Sequence, residues 1–93
     1  TANEIPAGFS LKQNYPNPFN PSTKIEFSIA KATFVKMAVY DITGKEVEVL
    51  VNENLSAGTF EVDFNASKLT SGVYFCKITA GEFSDVKKMI LSK

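Results

Sequence analysis

Glu61 and Asp63 come closest, by residue type and spacing, to a catalytic pair. They lie in "FEVDF" (60–64), and side chains two residues apart on one face of a strand are ~6.5–7 Å apart. Two carboxylates near this separation can act as acid and base in glycoside hydrolysis. However, a chain of 93 residues has one modest core and no room for a deep cleft. We therefore expect both carboxylates to be solvated surface residues.

The other residue types needed for catalysis are scarce. The sequence contains no histidine, which is the usual general base and a common zinc ligand at neutral pH. Cys76 is the only cysteine, so an internal disulfide and a thiolate metal cluster are excluded. It shares its strand parity with Tyr74 and Ile78, which predicts a small buried side chain rather than a reactive thiol. The sequence thus predicts a protein without catalytic activity or a cofactor.

Two kinds of binding site have candidate residues. Asp41 and Glu53 lie among other oxygen-bearing side chains that could bind calcium, but neither stretch matches an EF-hand, so we expect turn residues. A saccharide-binding face needs exposed planar aromatics, and the chain has no tryptophan. Phe34, Tyr40 and Phe75 are the candidates, because their strands are apolar on both faces. We expect both faces of those strands to be buried instead.

The charge balance and the hydropathy of the chain argue against binding to nucleic acid and against insertion into a membrane. Ten basic residues balance ten acidic ones, and all ten basic residues are lysines. A nucleic-acid partner is not expected from a chain with no basic excess and no arginine. Direct membrane insertion is not expected either, because no apolar run approaches the ~20 residues that span a bilayer. The chain starts at Thr1 rather than Met, which we interpret as a piece of a larger protein.

Alternating apolar and polar residues dominate the rest of the chain. Strands are predicted at 9–13, 24–29, 34–41, 47–51, 60–64, 72–78 and 83–93, with 34–41 and 47–51 as the more central ones. Turn signals ending in glycine separate them, a pattern typical of an all-β sandwich or barrel. The irregular spacing in 83–93 predicts a strand with a bulge near Asp85 or Val86, and a short terminal helix is the alternative.

"LTSGVY" (69–74) is a detail typical of immunoglobulin-like β-sandwiches, and we expect a sandwich of this kind with about seven antiparallel strands. In such sandwiches a tyrosine near the start of the sixth strand bonds to backbone a few residues upstream. Tyr74 is placed to make this tyrosine corner, with Gly72 at the bend.

"QNYPNPFNPST" (13–23) predicts a stiff connection, which we call the strap. Pro16, Pro18 and Pro21 lack an N–H and push the residues before them toward extended conformations. We expect Tyr15 and Phe19 to pack on the apolar surface, while the asparagines bond local backbone. A stiff segment of this kind loses less entropy on ordering than a flexible loop does.

The C-terminal segment mixes lysines with apolar residues. One interpretation is an ordinary edge strand, whose lysines prevent unwanted strand pairing. The other is a short tag that another protein reads, for example by strand addition. The segment comprises Lys87, Lys88, Met89, Ile90, Leu91 and Lys93.

Three blocks of the sequence together resemble one known domain family. They are "LKQNYPNPFNPSTKIEFSI", "VYDITGKEV" and "GVYFCKITAGEFSDVKKMILSK", in this order over about residues 9–93. They resemble the type A C-terminal sorting domain of the type IX (Por) secretion system, found in the Bacteroidetes group and its relatives. The resemblance implies an immunoglobulin-type sandwich that stands last in larger exported enzymes and adhesins.

The resemblance also implies a function and partners. Such a domain directs folded cargo from the periplasm through the outer-membrane translocon, with its shuttle components, to the cell surface or the medium. A sorting peptidase then cleaves upstream of the domain. The alternative is an accessory spacer or a carbohydrate-binding module of a secreted enzyme.

The family's motifs can be carried over position by position. Residues 1–8, "TANEIPAG", are expected to be the cleavable linker from the cargo, and residues 9–93 the sorting domain. The resemblance implies translocon recognition by the terminal block Lys87, Lys88, Met89, Ile90, Leu91 and Lys93. It implies structural roles for Tyr15, Pro16, Pro18, Phe19, Pro21, Gly44, Gly72, Tyr74 and Gly81.

Overall fold

Two antiparallel sheets make up the fold in a computed structural model that describes residues 6–93. One sheet has the strand order β1-β2-β5, and the other has the order β4-β3-β6-β7. This confirms the prediction of an all-β, immunoglobulin-like sandwich of about seven strands. The strands are β1 (Ser10–Leu11), β2 (Ser22–Ile29), β3 (Thr33–Tyr40), β4 (Glu46–Leu55), β5 (Gly58–Asn65), β6 (Gly72–Ala80) and β7 (Phe83–Leu91).

The core lies between the sheets and follows from the alternation in the sequence. Strand β2 turns Ile25, Phe27 and Ile29 inward, and each is almost completely buried. From the facing sheet, the odd-numbered residues of β3 and the even-numbered residues of β6 fill the same space. Residues two apart in a strand share a face, so one apolar parity per strand is enough to build this core.

Strand β4 departs from its prediction as a central strand, because it lies at the edge of its sheet. Its pairing with β3 is irregular between Met37 and Ala38 and again between Val39 and Tyr40. A bulge adds a residue to one strand and shifts its alternation. The irregular pairing lets Leu50 as well as Val47 and Val51 pack on the core. The strand is therefore apolar on both parities because of its bulges, not because both of its faces are covered.

The bulge predicted near Asp85 or Val86 is not present. Strands β6 and β7 pair without a break from Gly72↔Leu91 to Ala80↔Phe83. The apolar residues of 83–93 are irregularly spaced in the sequence because one of them, Val86, points outward and is 48% exposed. The terminal segment is thus a regular edge strand.

The tyrosine corner is confirmed. The Tyr74 hydroxyl donates a 2.7 Å hydrogen bond to the carbonyl oxygen of Thr70, four residues upstream. Gly72 between them has a φ of +152°, which favours glycine. The bond fixes the loop to the start of β6.

In residues 6–93, no helix has the length and apolar character needed to cross a membrane.

Candidate functional site

The strap runs along the outer edge of β7 and pairs with it. The Phe19 N–H donates to the Ile90 carbonyl, and the Ser92 N–H donates to the Phe19 carbonyl, both at 2.9 Å. These two bonds form a parallel bridge between Phe19 and Leu91. The two segments that stand out in the sequence are therefore joined in the fold.

Two strap side chains extend this contact. Asn17 Oδ1 accepts a 3.0 Å bond from the Ile90 N–H, 73 residues away. Gln13 Nε2 donates a 2.7 Å bond to the Lys88 carbonyl. Asn17 thus bonds a distant strand, and the prediction that it bonds local backbone is wrong. We call the four hydrogen bonds between the strap and residues 88–92 the clamp.

Phe19 anchors the strap in the core. Its side chain is 1% exposed, and its ring centroid lies 5.9 Å from that of Phe64 on β5. The ring therefore lies between the strap, the C-terminal strand and the opposite sheet. This confirms the predicted packing of Phe19.

Tyr15 does not pack on the apolar surface as predicted, because its side chain is 81% exposed. Its backbone pairs with Lys24 through two 3.0 Å hydrogen bonds. This pairing determines which side chains of the strap point inward and which point outward here. Asn14 takes the inward position instead and is buried. Pro16 and Pro18 are also exposed, while Pro21 is half-buried and its carbonyl accepts the Ala66 N–H.

Buried Asn14 is fully engaged in hydrogen bonds. Its Nδ2 donates to the Pro16 carbonyl at 3.0 Å and to Thr23 Oγ1 at 3.1 Å, and Thr23 Oγ1 donates to the same carbonyl. Gln13 Nε2 donates to Asn14 Oδ1 at 2.7 Å. A buried amide is tolerated only when its polar atoms are paired, so this small network fixes the bend of the strap. Sequence reasoning missed Asn14 because a polar residue in a loop gives no burial signal. It missed Thr23 because this residue is polar, although it lies in β2 with the same inward parity as Ile25.

The structure divides the predicted recognition residues. Met89 and Leu91 are buried in the core, whereas the side chains of Lys88 and Ile90 lie on the opposite face of β7. In the folded domain a partner can reach the second pair and not the first. The alternation of a strand makes this division unavoidable.

Of the two remaining lysines, Lys87 lies within the edge strand β7 and Lys93 lies beyond its end. Lys87 Nζ lies 3.9 Å from an oxygen of Asp85. Lys93, beyond the end of β7, donates from Nζ to the Ser67 carbonyl and from its N–H to Ser71 Oγ. Lys93 therefore ties the chain end to the loop before β6.

Strand addition along β7 is restricted by the clamp. The N–H groups of Ile90 and Ser92 are used by the strap, and Val86 N–H is bonded by Asp85 Oδ1 at 2.8 Å. An incoming strand would have to displace these partners. The edge of β7 is therefore a protected edge.

Glu61 and Asp63 lie on the exposed face, as predicted. Lys24 Nζ lies between them, 2.9 Å from Asp63 and 3.5 Å from Glu61. The hydrogen bond to Asp63, together with the charges of both carboxylates, raises the pKa of Lys24. The pair thus forms part of a surface charge network.

Asp41 acts within its turn, as predicted, whereas Glu53 lies in β4, so its prediction as a turn residue is wrong. Its Oδ1 accepts bonds from Thr43 Oγ1, Thr43 N–H and Lys45 N–H. The Thr43 hydroxyl is the main cause of the lowered pKa of Asp41. Gly44 completes the turn with a φ of +88°. Across the described part of the chain, no group of three metal-ligating side chains is placed to hold an ion.

The predictions for the remaining candidates differ in outcome. Cys76 is buried as predicted, and burial raises the pKa of its thiol to about 12. Phe34 is 49% exposed, so the prediction that it is buried is wrong. Tyr40 and Phe75 are half-buried on the same outer face.

At the N-terminal end, the Phe9 ring stacks on Phe83 at 5.6 Å.

The predicted linker, residues 1–8, falls partly outside the described residues. Residues 1–5 are not described, and Pro6, Ala7 and Gly8 lie outside the strands. The cleavable linker and the boundary at residue 9 stay predictions.

A comparison with models of protein families identifies a family that covers most of the chain. The family model for the secretion system C-terminal sorting domain matches residues 13–92. No curated protein matches the chain. The matched range starts at the first residue of the strap and ends just after β7, so it contains both segments that the clamp joins.

Proposed function

The chain belongs to the family of secretion system C-terminal sorting domains, and we propose that it carries a larger folded protein through the type IX translocon. The cargo is then left at the cell surface or in the medium after a sorting peptidase cleaves upstream of residue 9. The domain itself performs no chemistry. Its partners are the cargo on its N-terminal side, the translocon with its shuttle components, and the peptidase.

The observation that carries this proposal is the match over residues 13–92, which contains the clamp. Within that range the C-terminal segment is not a free tail, because β7 pairs with β6 and with the strap. This favours recognition of a folded domain over recognition of a linear peptide. The translocon would read the exposed side of β7, where Lys88 and Ile90 lie.

A fusion experiment tests the proposal. Residues 1–93 are placed after a fluorescent cargo in a host with a type IX system, and surface and medium fluorescence are compared with cargo alone. The same host without its translocon is the second control. We expect export only with both the domain and the translocon. A fusion that stays in the periplasm of the intact host would overturn the proposal.

Deletion of residues 84–93 is a poor test of recognition. It removes Met89 and Leu91 from the core along with most of β7. Large-to-small changes at single buried positions already cost ~2–5 kcal/mol, so the deletion is expected to unfold the domain. Surface substitutions on β7 separate recognition from folding.

A second candidate function rests on Tyr15. Its exposed ring borders a groove of about 650 Å³ whose lining includes Pro16, Lys24, Asp63 and Asn65. An aromatic face beside hydrogen-bonding side chains is an arrangement that can bind sugars. Pull-down on cellulose, xylan and chitin tests it, with Tyr15→Ala as the control variant. Binding that Tyr15→Ala abolishes would support a carbohydrate-binding module, and no binding would reject it.

A further inference from the structure

The outer face of the β4-β3-β6-β7 sheet carries apolar side chains on all four strands. Across the sheet, Tyr40 lies opposite Phe75, and Val73 lies opposite Ile90. Val49 and Val86, toward the two edges, are 42% and 48% exposed. We call this surface the apolar face, defined by Tyr40, Val49, Val73, Phe75, Val86 and Ile90.

Ala38 shows that the apolar face is continuous. It projects from β3 on the same side as Tyr40, and its register partners are Val49 and Lys77. Although it faces away from the core, it is only 1% exposed. The neighbouring side chains therefore close over it and form one surface. Contiguous apolar surface of this kind marks interaction sites on soluble domains.

The outer face of the other sheet is built differently. Lys12 pairs with Glu26 at 2.9 Å, Lys24 pairs with Asp63 at 2.9 Å, and Ser28 Oγ lies 3.0 Å from the hydroxyl of Thr59. These side chains satisfy one another within the domain. Of the two outer sheet faces within residues 6–93, the apolar face is the one that leaves a contiguous surface whose burial would be favourable.

Charge indicates the chemistry of the partner. Lys77 and Lys88 project from the apolar face, opposite Val86 and Phe75, respectively. In residues 6–93 neither lysine makes a salt bridge, whereas Lys36 on the same face is paired with Glu46 at 3.1 Å. Two positive charges on an apolar surface favour a partner that offers carboxylates.

We propose that the apolar face docks a protein surface with an apolar centre and carboxylates opposite Lys77 and Lys88. The proposal rests on the proposed function, since that partner belongs to the export machinery. The apolar face spans four strands at ~4.8 Å spacing and three rows of side chains, so its area is roughly 300–400 Å². A contact smaller than the ~800 Å² per partner of a stable complex is typical of transient binding. Transient binding suits a domain that a component of the export machinery binds and then releases.

Two double variants of the fluorescent fusion test the two halves of the proposal. Val86→Thr with Ile90→Thr removes apolar contact but keeps the β-branched shape that suits a strand. Lys77→Glu with Lys88→Glu reverses the charge. For each we expect about a tenfold fall in exported cargo, which corresponds to loss of about 1.4 kcal/mol of binding free energy.

The matched control is Lys31→Glu with Lys68→Glu. Both lysines are exposed in loops away from the apolar face, so the change in net charge equals that of the Lys77 and Lys88 variant. We expect near wild-type export from it. Thermal melting of each purified domain checks folding, and a double variant that does not fold is replaced by one of its own substitutions, Ile90→Thr for apolar contact or Lys88→Glu for charge.

The outcomes separate this inference from the function on which it rests. If the wild-type fusion is not exported, the proposed function fails. If it is exported and both apolar-face variants are exported equally well, only the docking inference is overturned. If export of the Lys31 and Lys68 control falls as well, the docking inference is also overturned, because the change in net charge would then explain the loss of export.

Two other occupants of the apolar face can be tested directly. Analytical ultracentrifugation of the purified domain reports self-association, and sedimentation with phosphatidylglycerol vesicles reports lipid binding. A dimer that Val86→Thr with Ile90→Thr dissociates would assign the face to a second copy. Vesicle binding lost in Lys77→Glu with Lys88→Glu would assign it to a lipid surface. Either result overturns the proposal, whereas a monomer that does not bind vesicles supports it.

Discussion

Replacing Phe19 with alanine tests whether the strap holds the C-terminal strand in place. The side chain is 1% exposed and packs against Phe64, while its backbone makes two of the clamp's hydrogen bonds. The substitution leaves the backbone groups present and removes the ring that anchors them. A buried Phe→Ala change costs ~3–5 kcal/mol, because apolar contact is lost and a cavity remains.

This cost is large for a small domain, whose total stability is ~5–15 kcal/mol. Urea unfolding followed by far-UV circular dichroism measures it, since the chain has no tryptophan for fluorescence. With a slope of about 2 kcal/mol per molar urea, the midpoint should fall by about 2 M. In hydrogen exchange, the Ser92 amide should lose protection, because its acceptor is the Phe19 carbonyl.

Tyr15→Ala is the matched control in the same strap. It also removes an aromatic ring, but from a side chain that is 81% exposed, so its effect should stay within about 0.5 kcal/mol. If Phe19→Ala costs less than about 1 kcal/mol, or if Tyr15→Ala costs as much, the strap does not anchor the fold through Phe19.

Three further outcomes follow from single side chains. Tyr74→Phe removes the bond to the Thr70 carbonyl and should cost about 1 kcal/mol in urea unfolding; no loss would show that the corner does not stabilise the domain. The pKa of Cys76 is raised from 9.0 to about 12, so the unfolded chain loses this proton first and the neutral thiol stabilises the fold fully below pH 9. Between pH 9 and 12 wild type should therefore lose stability faster than Cys76→Ala, and parallel curves would contradict this. The pKa of Asp41 is lowered chiefly by the Thr43 hydroxyl, so Thr43→Val should raise its NMR titration midpoint, and an unchanged midpoint would reject that cause.

Local patterns were sufficient to predict much of the fold. Alternation in β2 identified Ile25, Phe27 and Ile29 as core residues, because strand geometry fixes side-chain direction every second residue. The tyrosine corner was also predictable, since Tyr74 and its acceptor are four residues apart. Both predictions depend on interactions within one strand or one turn.

Features that depend on distant pairing were not predictable in this way. The pattern of β4 could not distinguish bulges from burial on both faces, and its edge position follows only from the order of the sheet. The sequence predicts that Tyr15 packs on the apolar surface, yet the inward position belongs to Asn14, which has partners in the strap. The bond between Asn17 and Ile90 joins residues 73 apart, and no local pattern carries such information.

The candidate site shows the same limit. Sequence reasoning identified the C-terminal block, but not which of its residues a partner can reach. Met89 and Leu91 face the core, while Lys88 and Ile90 face outward beside Phe75 and Val73. The outer neighbours come from β6, so the apolar face exists only after the sheet has formed.

The clamp also limits what an isolated C-terminal peptide can do. Residues 84–93 alone would lack both β6 and the strap, which together bond the two edges of β7. Met89 and Leu91 would then be exposed to water, and Lys88 and Ile90 would lose the sheet that places them beside Phe75 and Val73. Ordering the strap against β7 costs chain entropy, and the prolines lower that cost because they already restrict the strap in the unfolded chain. The sorting information is therefore expected to reside in the assembled domain, and neither terminal segment should act alone.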